Sequence, residues 1–381
     1  MRKTFDTKQT RAEIDLENLA FNFHSIRKFV SSDVKVMGVV KADAYGHGSI
    51  QCSKRLESEG VDWLGVASIE EAIELRDSGI RIPILCFRGS RLGLESLFLD
   101  RDITPSLFDI DRARELDHAA GIAGIRKKVH LKIDTGMGRV GVPYQNIALF
   151  ADQISGLSNL EVEGVMTHFA CADDLTSELT TLQIDRFNNA IALLREKGIR
   201  PRIIDMANSP GAVAFPESHA SMVRIGGLLY GLGDDVLPKG IDRPELRPVM
   251  SVKSEIAFLK SISSGEGIGY GQTFSTSRDS VIATVPIGYY DGYRRALSNR
   301  SRVIVNGRFA PVVGRISMDW TAIDVTDIKN VRVGDEVILI GNTDGNQIKA
   351  EELAQLCESI SYETTCGISK RVPRIYLPEM V

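Results

Sequence analysis

The sequence predicts a (β/α)8 barrel, an α/β fold, followed by a domain made mostly of β-strands. Eight short, β-branched runs alternate with helical patterns before residue 243, and longer strands of alternating apolar and polar residues replace them afterwards. Strands that alternate with helices favour a parallel sheet with crossover helices, and eight units in roughly 230 residues match the size at which such a sheet closes. An open, doubly wound sheet is the alternative that this pattern leaves.

The eight barrel strands are predicted from apolar runs bounded by turn residues. In chain order, these runs are VKVMGVV, WLGVA, IPILCF, DITPSL, KVHLKI, VEGVMTHF, RIIDMA and SMVRIG. Between them, apolar residues three and four positions apart predict helices in LENLAFNFHSIRKFV, SIEEAIELRDSG and QIDRFNNAIALLREKG. We therefore place the barrel at residues 1–243, with about the first 12 residues able to pack with the second domain.

The second domain is predicted to span residues 244–381 and to be rich in β-strands. The predicted strands lie in SVKSEIAFLKSI, SVIATVPIGYYDGY, SRVIVNGRFAPVVGRISMDWTAIDV and VGDEVILIG. Asn306-Gly307 has the composition of a two-residue hairpin turn. Only KAEELAQLCESI, near the end of the chain, has a helical pattern, so we expect a single helix there.

Composition excludes several classes of protein. The net charge of -4, with 43% hydrophobic and 25% charged residues, provides no basic surface for nucleic acid or anionic lipid. No segment reaches the ~18 apolar residues of a membrane span, and the amino terminus lacks the apolar core of a secretory signal. A cytoplasmic protein with no nucleic-acid or membrane partner is therefore expected. The five cysteines are scattered, and His168 and Cys171 have no second pair beside them, so we predict reduced thiols and no metal.

The stretch VKVMGVVKADAYGHG places Lys41 at the carboxyl end of the first predicted strand. The carboxyl ends of barrel strands form the mouth in which such enzymes place their reactive groups. Burial there would lower the pKa of the amine from about 10.4 and leave a neutral nucleophile able to form a Schiff base with a carbonyl. The competing interpretation is a lysine whose ammonium extends from the strand end into solvent. Tyr45, close by in sequence, offers a hydroxyl.

Other predicted strand ends also carry polar residues. In order along the chain these are Lys132, Asp134 and Arg139, then His168, then Asn208 and Ser209, and finally Arg224 with Gly226 and Gly227. A serine turn in the seventh unit and a diglycine in the eighth are where barrels commonly bind phosphate with backbone N–H groups. Taken singly, His168 could be a core histidine, Arg224 a surface ion pair and the diglycine a plain turn. Their occurrence at successive strand ends favours a shared site.

Nine motifs, spread over nearly the whole chain, resemble those of a known protein family. They are VVKADAYGHG, LKIDTGMGRVG, EGVMTHFACAD, ANSPGA, MVRIGGLLYGL, GIGYGQTF, VPIGYYDGY, VGRISMDW and RVPRIY. In their order and spacing they resemble the bacterial alanine racemases, which are fold-type III enzymes dependent on pyridoxal 5'-phosphate (PLP). The resemblance implies that Lys41 holds PLP as a Schiff base and that Arg224 faces the pyridine nitrogen. It also implies a cofactor site completed by Tyr45, Asn208, Ser209, Gly226, Gly227 and Lys370.

By the same resemblance, racemisation uses two acid–base groups on opposite faces of the reacting carbon. Lys41 would be one and Tyr270 the other, with His168 and Arg139 holding the tyrosine. Because the family takes this tyrosine from a partner subunit, the resemblance implies a homodimer whose two sites are shared.

The resemblance also assigns contacts to an amino-acid substrate. The Met318 backbone and Arg139 would bind its carboxylate, and Tyr289 would narrow the entrance. Lys132 matches a lysine that is carbamylated in several relatives. The chain departs from the family at Lys370, where relatives have a tyrosine. A flexible cation beside the side-chain pocket predicts a broader specificity, with serine as the first further substrate.

Two other functions share parts of this pattern. PLP-dependent decarboxylases also combine a barrel with a β domain, but they place a carboxylate where this chain has Arg224. PLP carriers lack the motifs that contain Tyr270 and Met318. Interconversion of L-alanine and D-alanine, to supply D-alanine for peptidoglycan, is therefore the expected function.

Overall fold

The computed structural model describes residues 9–343 and 345–378, and the first part of the chain folds as a closed parallel barrel. A short strand, β1 (Arg11–Asp15), precedes it. The barrel strands are β2 (Lys35–Val39), β3 (Trp63–Val66), β4 (Ile84–Cys86), β5 (Thr104–Leu107), β6 (Lys127–Asp134) with the short β7 (Val142–Pro143) beside it, β8 (Leu160–Met166), β9 (Ile203–Asp205) and β10 (Met222–Ile225). Closure comes from the pairing of β10 with β2 and of β5 with β6. All eight predicted strands are confirmed, and the doubly wound alternative is wrong.

Helices connect the barrel strands, as the sequence predicts. They are α1 (Leu16–Phe29), α2 (Lys41–Tyr45), α3 (Ser49–Ser58), α4 (Ile69–Asp77), α5 (Glu95–Asp100), α6 (Ile110–Ile122), α7 (Ile147–Ser155), α8 (Leu179–Glu196) and α9 (Ser209–Ala214). Side chains at the N-cap position stabilise the first turns of several of these helices. Asp15 accepts the N–H of Asn18 at 2.9 Å to begin α1, and Ser68 forms a capping box with Glu71 to begin α4.

The barrel interior is filled by a layer of large apolar side chains. This layer consists of Met37, Trp63, Leu85, Met166, Ile203 and Met222. His130 is fully buried beside Trp63, with ring centroids 5.1 Å apart, and burial lowers the pKa of His130 to about 3, so its ring is neutral. His130 and Met222 precede Lys132 and Arg224 by two positions on their strands. Because side chains two apart share a face, the strand-end residues rest on this uncharged layer.

The second domain is built from strands that pair mostly antiparallel. They are β11 (Met250–Glu255), β12 (Phe258–Ile262), β13 (Gly267–Ile268), β14 (Phe274–Ser275), β15 (Ser280–Val285), β16 (Arg302–Val305), β17 (Arg308–Pro311), β18 (Thr321–Asp324), β19 (Glu336–Thr343), β20 (Asn346–Ile348) and β21 (Arg374–Leu377). One sheet has the order β17-β16-β19-β11-β1-β21, and another has the order β12-β15-β18. The predicted hairpin at Asn306-Gly307 is confirmed, since Val305 pairs with Arg308 across it.

The strand β1 belongs to the sheet of the second domain although it precedes the barrel. It pairs antiparallel with β11 and parallel with β21. Residues 9–12 therefore lie with the second domain, and residues 1–8 lie outside the described residues. In the described part of the chain, no helix combines the length and the apolar character needed to cross a membrane.

The second domain departs from the prediction in three places. The single predicted helix is α10 (Ala350–Leu356), and a second helix, α11 (Ser361–Gly367), follows it. Asp235, far away in sequence, accepts the N–H of Ser361 at 2.6 Å, so the start of α11 depends on a tertiary contact. The run SVKSEIAFLKSI is divided between β11 and β12, which lie in different sheets. Residues 286–294 and 314–320 are loops and not strands.

Candidate active site

Lys41 lies two positions after the end of β2, at the carboxyl mouth of the barrel. Burial lowers the pKa of Lys41, the nearby Arg139 lowers it further, and the Glu71 carboxylate opposes the shift. The lowered pKa makes the neutral amine more available. The interpretation of Lys41 as a lysine that merely reaches into solvent is therefore not supported.

The segment after Lys41 adopts an unusual backbone conformation that the sequence does not reveal. Ala42, Asp43, Ala44 and Tyr45 all have φ values of 53 to 55°, so the residues labelled α2 form a left-handed turn. Each such L-residue costs about 1–2 kcal/mol relative to a right-handed one. Tertiary and local bonds must hold the turn, and among them Asp43 accepts the N–H of Ser49 at 2.7 Å with its side chain.

A group of hydroxyls and backbone N–H groups forms beside this turn. The Gly226 N–H donates to Ser209 Oγ at 2.9 Å. A Cβ at Gly226 would lie 2.5 Å from the Tyr45 hydroxyl oxygen, and a Cβ at Gly227 would lie 2.1 Å from a ring carbon of Tyr362. Only glycine fits at these two positions. The structure thus brings Tyr45, Ser209, Gly226 and Gly227 together, as the sequence analysis expects of a phosphate site.

Asn208 has a different place in this group. Its Oδ1 accepts the N–H of Gly211 at 3.0 Å, so its side chain caps α9. Its Nδ2 points to the Phe169 carbonyl at 3.5 Å. Asn208 therefore fixes the position of Ser209 through its cap, and the second N–H of its amide is free to donate to a cofactor.

Arg224 is buried near the end of β10, and several hydrogen bonds hold its guanidinium. Its Nη2 donates to the Thr167 carbonyl at 2.9 Å and lies 3.1 Å from His168 Nδ1, and its Nη1 donates to Asp205. Burial raises the pKa of Asp205, while Arg224 opposes that shift. Met206 contributes a further carbonyl at 3.3 Å. The interpretation of Arg224 as a surface ion pair is therefore wrong, since the pair is internal.

His168 is neutral in this setting. Burial lowers the pKa of His168 well below its ordinary value, and Arg224, Lys132 and Arg139 add to the effect. A neutral ring that accepts at Nδ1 from a guanidinium carries its proton on Nε2. The half-buried imidazole thus presents Nε2 as a donor.

Lys132 and Arg139 complete the set of cations at the mouth. Burial, together with Arg224 and Arg139, lowers the pKa of Lys132 to about 8. Arg139 itself is exposed and follows a turn built by Asp134, whose Oδ1 accepts the N–H groups of Gly136, Met137 and Gly138 at 2.9 to 3.1 Å. The Asp134 carboxylate thus sets the conformation of the loop that leads to Arg139.

Four predicted site residues lie apart from this group within one chain. Tyr270, Met318 and Tyr289 are on the second domain and are 71%, 49% and 42% exposed. Lys370 is exposed and lines a cavity at the barrel rim with Asp43, Glu71 and Glu74. Among the described residues, no side-chain hydrogen bond joins any of the four to the residues around Lys41.

Sequence reasoning missed several residues of the site. Asp205, Glu71 and Tyr362 each contact a predicted site residue or its backbone. Arg371 donates to Asp291 at 2.6 Å and to Asp319 at 2.7 Å, which joins the RVPRIY motif to the loops that carry Tyr289 and Met318. Of these residues only Asp205 could have been found from the sequence, because it ends a barrel strand that pairs with the strand containing Arg224.

Comparison with known proteins identifies the family to which the chain belongs. The family model described as "Alanine racemase, N-terminal domain" matches residues 14–234, and "Alanine racemase, C-terminal domain" matches residues 249–376. The chain belongs to the alanine racemase family. Its relatives include an alanine racemase of Geobacter sulfurreducens, 42% identical over 98% of both chains, and one of Halothermothrix orenii, 43% identical over 97% of both.

Solved structures of alanine racemases share the fold over nearly the whole chain. The enzyme of Clostridium difficile 630 superposes with a TM-score of 0.92 at 38% identity, covering 98% of this chain and 96% of that one. The enzyme of Bartonella henselae, a structure with covalently bound pyridoxal phosphate, superposes with a TM-score of 0.87 at 28% identity, covering 97% and 99%. Like these relatives, this chain is an isomerase that acts on amino acids.

The residues at the barrel mouth fit PLP. An amine with a lowered pKa suits an aldehyde, and the hydroxyls of Tyr45 and Ser209 beside Gly226 suit a phosphate. Arg224 is a donor only and suits a pyridine nitrogen that accepts. The distribution of charge agrees with this fit, because the mouth gathers the cationic groups of Lys41, Lys132, Arg139 and Arg224 where an anionic cofactor would bind.

Proposed function

We propose that the chain interconverts L-alanine and D-alanine with PLP bound at Lys41. The observation that carries the proposal is the placement of Lys41, with its lowered pKa, beside the Tyr45, Ser209 and Gly226 group at the mouth of a barrel of this family. When bound at Lys41, PLP would supply an electron-withdrawing ring that acidifies the α-proton of the amino acid.

The residues of the chain would then bind the substrate and move the proton. Lys41 is both the covalent tether and a proton carrier, because burial favours its neutral form. Tyr45 and Ser209 bind the phosphate, and Asn208 orients Ser209 through its cap. Gly226 and Gly227 leave room for the phosphate.

Arg224 favours racemisation over loss of CO2. Its guanidinium stays protonated and only donates, so the nitrogen that it faces remains unprotonated. The weaker electron withdrawal would favour return of a proton to the α-carbon over side reactions. A decarboxylase would use a carboxylate here, and the only carboxylate beside Arg224 in the described residues, Asp205, is engaged by that guanidinium.

We infer that the second proton carrier is Tyr270 from a partner subunit, and that the chain acts as a homodimer. Within one chain Tyr270 is 71% exposed, and Tyr290 and Trp320 on the same domain are 58% and 48% exposed. Such aromatic exposure is typical of an interface. Met318 and Tyr289 would enter the partner's site with Tyr270, where Arg139 and the Met318 backbone bind the substrate carboxylate.

The test of the function is a product assay. The purified protein with PLP is incubated with L-alanine, and D-alanine and the decarboxylated amine are both quantified. D-alanine alone supports the racemase, the amine alone supports a decarboxylase, and neither product supports a PLP carrier. A cytoplasmic location and the supply of D-alanine for peptidoglycan are part of the same proposal.

Lys132 is expected to be carbamylated. Its pKa of about 8 leaves a sizeable neutral fraction near neutral pH, and that fraction adds CO2 and releases a proton. The resulting anion would face Arg139 and Arg224 in place of a third cation. Carbon-13 NMR with labelled bicarbonate should show a carbamate signal that grows as the pH rises towards 8 and that is absent from Lys132→Ala.

The control for this measurement lies on the same strand. Lys128 is half exposed and paired with Glu163, so Lys128→Ala should keep the carbamate signal. A signal that survives in Lys132→Ala, or that is missing from the wild type in excess bicarbonate, would show that Lys132 remains a free amine.

Lys370 is expected to broaden the substrate range to serine. A flexible cation in place of a tyrosine leaves the side-chain pocket less well defined. We expect serine to be turned over at a rate comparable with alanine, and Lys370→Tyr to raise the alanine-to-serine ratio of kcat/KM about 10-fold. Serine turnover at background level in the wild type would rule out the broader specificity and leave alanine as the substrate.

A further inference from the structure

Glu71 joins two strand ends at the barrel mouth through a single carboxylate. Its Oε1 accepts the N–H of Ala42 at 2.9 Å. Its Oε2 accepts the N–H of Ala67 at 2.7 Å and that of Ser68 at 3.3 Å. Ala42 directly follows Lys41, and Ala67 directly follows β3, the strand that pairs with β2. The carboxylate therefore fastens the segment after Lys41 to the neighbouring strand.

We propose that Glu71 is the positioning residue for the cofactor lysine, because it holds the left-handed turn of residues 42–45 that sets the directions of Lys41 and Tyr45. The inference deepens the proposed function and rests on it, since it takes Lys41 as the residue that carries PLP.

Chemistry explains why this position needs a carboxylate. Glu71 accepts backbone N–H groups on both of its oxygens, and a carboxylate accepts on both, whereas an amide accepts on one side and donates on the other. The Ala42 N–H begins the left-handed turn, and among the described residues its hydrogen-bond acceptor is Glu71. An amide in place of Glu71 would leave a backbone donor facing a second donor.

The charge of Glu71 also acts on Lys41 directly. Its carboxylate raises the pKa of Lys41 and partly offsets the lowering by burial and by Arg139. Loss of the charge should therefore shift Lys41 further towards its neutral form. A mere loss of stability would not shift this equilibrium in a set direction.

The test compares Glu71→Gln with Glu70→Gln in the full-length protein. Glu70 is the exposed neighbour on the same helix turn and makes no bond to Ala42. For Glu71→Gln we expect the PLP dissociation constant, from equilibrium dialysis, to rise at least about 10-fold. We also expect the pH midpoint of the visible absorbance of bound PLP to fall. Glu70→Gln should match the wild type in both.

A second variant separates positioning from simple loss of stability. Glycine adopts positive φ without strain. The double variant Glu71→Gln with Ala42→Gly should therefore bind PLP with a dissociation constant at least about 3-fold lower than that of Glu71→Gln alone. If Glu71→Gln does not fold, Glu71→Asp replaces it, since its shorter side chain keeps the charge but does not span the two strand ends.

The inference is overturned if Glu71→Gln binds PLP as the wild type does with an unchanged pH midpoint, or if Ala42→Gly brings no recovery. These outcomes differ from failure of the proposed function. That failure would be seen in the wild type itself, as the absence of PLP bound at Lys41.

Discussion

Replacing Lys41 with alanine should remove the visible absorbance of the bound cofactor and lower kcat at least about 10⁴-fold. Two losses combine in this one variant. The covalent tether disappears, and so does a proton carrier placed at the mouth of the barrel. Because the side chain is half-buried at the barrel mouth and its pKa is lowered, a solvent-exposed amine elsewhere would replace neither role.

The measurement is a racemisation assay together with an absorbance spectrum of the purified holoprotein. Lys35→Ala is the matched control, because Lys35 lies at the opposite end of the same strand and is half exposed beside Asp62. This control should keep both the colour and the activity. A Lys41→Ala protein that retains more than about a tenth of the wild-type kcat would contradict the assignment of Lys41 as tether and proton carrier.

Much of the fold could be predicted because its signals are local. The eight barrel strands are short apolar runs with turn residues on both sides, and the hairpin at Asn306-Gly307 is set by the two residues that form it. The position of Lys41 at a strand end follows from the same local pattern. The family resemblance added the residues on the second domain, which no local pattern relates to the barrel.

What could not be predicted depends on contacts between distant residues. Alanine and tyrosine have no preference for the left-handed region, so the turn at residues 42–45 depends on acceptors such as Glu71. The helix α11 contains two adjacent threonines, which are weak helix formers. Its first residue, Ser361, donates its backbone N–H to the Asp235 carboxylate. Tyr362 reaches Gly227 only because that helix forms.

Replacing Tyr270 with phenylalanine should lower racemisation about 10²–10⁴-fold while the protein keeps its bound cofactor and its colour. The two enantiomers have equal free energy, so kcat/KM falls equally in both directions. The asymmetry appears in hydrogen exchange instead. Lys41 remains in place, so one enantiomer should still exchange its α-hydrogen with deuterated water, and the other should not. Exchange of both enantiomers at wild-type rates would show that Tyr270 is not the second proton carrier.

A mixture of Lys41→Ala and Tyr270→Phe chains tests where that tyrosine comes from. If sites are shared, a hybrid dimer has one site with both defects and one site that is intact. Random reassembly makes about half of the dimers hybrids, each with one working site of two, so about a quarter of the wild-type activity should return from two inactive proteins. If each chain used its own Tyr270, neither site of a hybrid would be intact and the mixture would stay inactive. The 71% exposure of Tyr270 within one chain is the reason to expect recovery.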